Sequence, residues 1–107
     1  MSELKSFSEV MPGLAEQTAK EKYGDTKEFY PFPALFDKSI IVKDAEFLEG
    51  DLGETSFIFF NFEDDEKEWL SSTMSNVIGS KLHFAKKDAL FPLKGTITRH
   101  GKYYDIN

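Results

Sequence analysis

The segment Ser56–Glu63, SFIFFNFE, puts five apolar side chains into eight positions, and they fall on both faces of any strand it forms. Phe57 and Phe59 share one face with Asn61, while Ile58, Phe60 and Phe62 share the other. A strand with one wet face alternates apolar and polar residues, and this one does not. Two arrangements accommodate it. Both faces are buried, by an aromatic segment of the chain or by a partner subunit, or the Phe57/Phe59 face is a stacking surface for flat ligands. Burial is the ordinary outcome. With 11 phenylalanines in 107 residues and aromatics at 15%, the chain needs a use for rings well beyond this one strand.

The length fits one domain. From Ser6 to Lys22 the spacing of Phe7, Val10, Met11 and Leu14 predicts a helix, with Gly24 as its stop. Between Tyr23 and Lys38 the run Phe29-Tyr30-Pro31-Phe32-Pro33 is unsuited to regular structure, because proline removes donors and extends its predecessor. Its aromatics suggest a strap laid on an apolar surface. Residues 1–39 therefore read as a helix plus strap, and 40–107 as the main domain. Within that domain Ile40–Glu49, Ser56–Glu63 and Glu68–Met74 read as strands, and Gly50-Asp51-Leu52-Gly53 as a turn. A helical segment from Val77 to Ala89 precedes Pro92. Leu93–Arg99 and Lys102–Ile106 then form a hairpin in which Gly101 supplies positive φ. Three strands, a helix and two strands suit a mainly-β, five-stranded barrel with the helix between its third and fourth strands, the OB arrangement. An α+β sandwich is the alternative.

Charge is unevenly distributed. The net charge is -6, yet residues 77–107 hold six basic and two acidic side chains, for +4, leaving -10 on residues 1–76. Such asymmetry fits one electrostatic working face, or chance segregation of solvated charges. Absence of cysteine excludes disulfides and thiolate chemistry. Two distant histidines make no metal site, and Glu63-Asp64-Asp65-Glu66 with Glu68 lacks spaced ligands, so it reads as a solvated turn. Gly50-Asp51-Leu52-Gly53 is not a phosphate loop, and no serine, histidine and carboxylate form a nucleophile signature. No enzyme activity and no cofactor are expected. Without an apolar run long enough to span a bilayer, the expected location is the cytoplasm.

KSIIVKDAEFLEGDLGE from Lys38, FIFFNFE, WLSSTMSNVI and the closing Phe91–Tyr104 segment, FPLKGTITRHGKYY, together resemble small single-stranded DNA-binding proteins of bacteriophages infecting Gram-positive bacteria. The similarity covers about two thirds of the chain. It implies an OB fold, sequence-independent binding of single strands, and a role in phage DNA replication or recombination beside phage or host proteins. Proteins of this class commonly carry a flexible acidic C-terminal tail, which has no counterpart before Asn107.

Binding single strands takes flat rings for the bases and cations for the backbone. Tyr103, on the outer parity of the last strand, is the foremost stacking candidate. Trp69 shares its parity with Ser71 and Thr73 and projects outward with them, or else lies in the core. Phe57 and Phe59 follow. Arg99 and Lys102 at the hairpin tip, Lys43 on the first strand, Lys94 on the fourth, and Lys86 and Lys87 on the helix are the phosphate contacts. A small domain covers few nucleotides, so a homo-oligomer (dimer or tetramer) is expected, joined through the Phe-rich strand or the N-terminal segment. A protein–protein module is the second reading.

Overall fold

The computed structural model describes Gln17, residues 20–23 and residues 28–107. Of the expected N-terminal helix, Gln17 and residues 20–23 are helical, and the rest lies outside the described residues. The protein is mainly β. Six strands, β1 (Glu28–Phe29), β2 (Ser39–Gly50), β3 (Gly53–Phe62), β4 (Trp69–Thr73), β5 (Leu93–His100) and β6 (Tyr103–Ile106), form one open sheet in the order β1-β4-β3-β2-β5-β6. One α-helix, α1 (Asn76–Lys87), joins β4 to β5. Among the described residues, no helix is long and apolar enough to cross a membrane.

β2 organises the sheet. Ile40–Val42 pair with both β3 and β5, Ser39 pairs with β5, and the remainder pairs with β3 alone. The change of partner coincides with a register shift between Val42 and Asp44, a bulge at Lys43 that bends and twists the strand. It also moves the inward parity from Ile40 and Val42 to Ala45 and Phe47. On the inner face Ile40, Val42 and Ala45 meet Ile58 and Phe60 from β3, Ile78 and Leu82 from α1, and Ile97 from β5. Gly95 on β5 is required by packing: a Cβ there would stand 2.6 Å from Ile106 Cγ1.

The strap is more ordered than its prolines suggest. Glu28–Phe29 pairs parallel with Trp69–Leu70, which adds the sixth strand, and Phe32–Leu35 makes one turn of 3-10 helix. Strand alternation sends Phe29 to the outer face of the sheet and Tyr30 to the inner one. Phe29 and Tyr23 cover Phe57 and Leu70 outside, while Tyr30, Phe32 and Leu35 pack inside. The segment thus wraps round the edge of β4, with Tyr30 N–H donating to the Leu70 carbonyl at 2.8 Å.

No ladder joins β4 to β6. Side chains of the α1 region bind the outward carbonyls of β6 instead. Ser75 Oγ accepts from Ile78 N–H at 3.2 Å, capping α1, and donates to the Tyr104 carbonyl at 3.3 Å. Lys81 Nζ donates to the Ile106 carbonyl at 2.9 Å and pairs with Asp105 at 2.7 Å. The Lys81 ammonium, hydrogen-bonded to Asp105, holds that carboxyl below its ordinary value, helped by the Ile106 N–H.

Loss of both Ser75 bonds in Ser75→Ala lowers stability by about 2 kcal/mol in a denaturant melt. Ser75→Asp keeps a cap acceptor but cannot donate to Tyr104, and falls between the two. Because the folded carboxyl of Asp105 titrates below the unfolded one, its contribution is complete above the ordinary carboxyl value of 3.8 and disappears as pH falls through the lowered folded value. Wild type and Lys81→Met therefore differ in melting temperature at pH 6, and the difference narrows in strong acid to what the Lys81 bond to the Ile106 carbonyl contributes.

Candidate nucleic-acid interface

β5 and β6 meet at a two-residue turn in which Gly101 adopts φ +63°. The turn sets His100 opposite Tyr103 and Arg99 opposite Tyr104. The His100 and Tyr103 rings lie 5.5 Å apart at 31°, and Tyr103 is 49% exposed. Thr98 Oγ1 and His100 Nε2 lie within hydrogen-bond distance at 3.1 Å, which holds the imidazole on the outer face. On the other side Arg99 donates from Nε to the Gly101 carbonyl at 3.2 Å, with its guanidinium 5.7 Å from the Tyr104 ring. Lys102 is exposed at the tip and makes no ion pair among the described residues. The hairpin thus presents a tilted aromatic pair beside two accessible cations. Parity places Tyr103 outward, as expected. The contribution of His100 escapes a reading that sees only a turn residue, although a two-residue turn necessarily pairs His100 with Tyr103.

Other candidate residues are dispersed. Lys43 is exposed at the β2 bulge, and Lys87 is exposed at the end of α1. Lys86 is engaged internally, donating to the Ala45 carbonyl and standing 3.4 Å from Asp44, so it ties α1 to β2. Lys94 pairs with Glu63 at 2.7 Å, one of the acids of the exposed turn after β3.

Three aromatic candidates are corrected by packing. Phe57 is completely buried, and Phe59 is half-buried, with the Tyr23 ring edge-on to each at 5.1 Å. Their face is covered by the chain's own Tyr23 and Phe29. Trp69 does not project with Ser71 and Thr73 into solvent. Its indole packs on the inner side, 5.2 Å from Tyr30 and 6.4 Å from Phe62, with Lys67 Nζ 4.3 Å above it. Ser71, on the same parity, is itself buried. The reason is the strap: Tyr30 supplies an apolar wall opposite β4, and local alternation carries no trace of it.

Among the described residues no three histidine or acidic side chains are placed to hold a metal ion. His83 stacks on Phe47 at 3.6 Å and 14° and hydrogen-bonds Glu54, which fastens α1 to the β2–β3 hairpin. Comparison with protein-family models, curated proteins and solved structures gives no match.

Burial, with Glu46 and Asp44 of β2 adding to it, pushes the Tyr23 phenol up to about 12. The folded state favours the neutral phenol, so this contribution is complete below the ordinary phenol value of 10.0 and is lost as pH rises through about 12. Tyr23→Phe, which cannot ionise, flattens this part of the alkaline stability profile in chemical denaturation from pH 9 to 12.

Proposed function

We propose that this protein binds single-stranded DNA without sequence preference, through stacking on Tyr103 and phosphate contacts from Arg99 and Lys102. The observation that carries the reading is the hairpin itself: a half-exposed ring beside a second ring, framed by two accessible cations. The order of elements supports an OB reading of the sheet, since three strands, a helix and two strands follow one another and β2 pairs with both β3 and β5. In that reading the broad face of β3 and β4, where OB proteins commonly bind oligomers, is covered, which concentrates binding on the β5–β6 hairpin. Replication or recombination of phage DNA is the setting that the sequence resemblance suggests, and a homo-oligomer is the form that would cover a useful length of strand.

One observation favours the second reading, a protein-interaction module. An apolar groove of about 390 Å³ runs between α1 and β5, bordered by exposed Phe84, Leu90 and Leu93.

Fluorescence anisotropy of a labelled poly-dT oligonucleotide separates the two. Binding that weakens with added salt, prefers single strands to duplex, and falls about tenfold in Tyr103→Ala supports the first reading. Lys102→Ala reduces the salt slope by about one phosphate contact. Absence of binding at low salt overturns it in favour of the module.

A further inference from the structure

Phe36 stands apart from the other rings on the strap. Tyr30 and Phe32 make edge-to-face contacts with core aromatics, whereas Phe36 is 50% exposed and makes no ring contact among the described residues. Its position is held firmly. The Phe36 N–H donates to the Pro33 carbonyl at 3.4 Å, ending the 3-10 turn. Asp37 follows in the left-handed region, at φ +63°, and its N–H donates to the Ile97 carbonyl at 2.7 Å. Ile97 N–H in turn donates to the Lys38 carbonyl at 3.2 Å. A left-handed non-glycine residue is uncommon, and here it reverses the chain so that Phe36 and Lys38 flank the point bonded to β5. Lys38 is exposed and has no ion pair among the described residues.

Ile97 precedes Arg99 by two residues and His100, the partner of Tyr103, by three. Three strand residues span about 10 Å, a distance that neighbouring nucleotides of one extended strand can bridge. We infer that Phe36 is a second base-stacking position and Lys38 a further phosphate contact, so that a bound single strand runs from the Tyr103 hairpin along β5 to the 3-10 turn. The inference rests on the single-strand reading above and extends it to a part of the chain outside the hairpin. Asp37 beside it and Glu63 and Asp64, which line one pocket with Lys38 and Ser39, oppose a phosphate here, and Lys38 offsets part of that charge.

The test is binding of poly-dT to the full chain by anisotropy, with Tyr103→Ala as reference. Phe36→Ala weakens binding about tenfold at low salt, with an unchanged circular dichroism melt. Phe36→Trp retains affinity and acquires a tryptophan emission quenched by the oligonucleotide, a signal that the enclosed Trp69 does not imitate. Phe84→Ala, at a ring 62% exposed on α1, leaves affinity unchanged. If Tyr103→Ala weakens binding while Phe36→Ala does not and the Phe36→Trp emission is unquenched, the inference falls and the hairpin reading stands. If wild type fails to bind at all, both fall. Should Phe36→Ala prove unstable, quenching in Phe36→Trp and the affinity of Lys38→Ala decide the matter.

Discussion

The structure depends on one crossing. Residues 28–35 pass round the edge of β4, and a hydrogen bond from Tyr30 to Leu70 marks the point where outside becomes inside. A strand as apolar as β3 cannot remain at the surface of a sheet without exposing a ring on one face or the other. Tyr23 and Phe29 relieve one face, and Tyr30, Phe32 and Leu35 relieve the other. One short segment therefore completes two clusters that the sheet separates. The two-residue pairing of β1 with β4 is small in extent but orients the backbone so that alternate side chains reach opposite sides.

The opposite edge is handled by different chemistry. Among the described residues β6 has no strand neighbour beyond β5, and an edge with open carbonyls invites pairing with another chain. Ser75 and Lys81 occupy those carbonyls from the start and middle of α1. Both side chains belong to the helix or its cap, so helix formation and edge protection are one event. The turn between β5 and β6 lies beyond the reach of these contacts, which leaves His100, Lys102 and Tyr103 turned to solvent on a supported hairpin.

Much of this was readable from local sequence. Each strand of the main domain and the helix after β4 announce themselves through β-branched runs, turn glycines and helical spacing, because these signals act between near neighbours. The parity of Tyr103 against Tyr104 and Ile106 was legible for the same reason. Other features were not. The bulge at Lys43 shifts inward parity by one, so strict alternation misplaces the residues after it. Which rings enclose Trp69 and Phe57 was not legible, because Tyr30 and Tyr23 come from more than thirty positions earlier in the chain. The tethering of Lys86 to β2 likewise depends on a carbonyl and an aspartate far away in sequence. Exposure of a side chain is a tertiary property, and only its alternation is local.

The crossing also bears on the order in which the chain organises itself. β2–β3, β3–β4 and β5–β6 join segments close in sequence, but Glu28 meets Trp69 across forty-one positions. Closing so long a loop costs entropy before the contact returns any free energy. The strap thus docks after the local hairpins, and it cannot dock until β4 exists to receive it. Until then Trp69 and Leu70 at the start of β4 lack their strand neighbour, while Ser71, Ser72 and Thr73 along the rest of it carry small hydroxyl side chains that offer a neighbouring chain little apolar surface to grip. The polarity of a strand that ends up largely buried is thereby suited to the interval in which it is not.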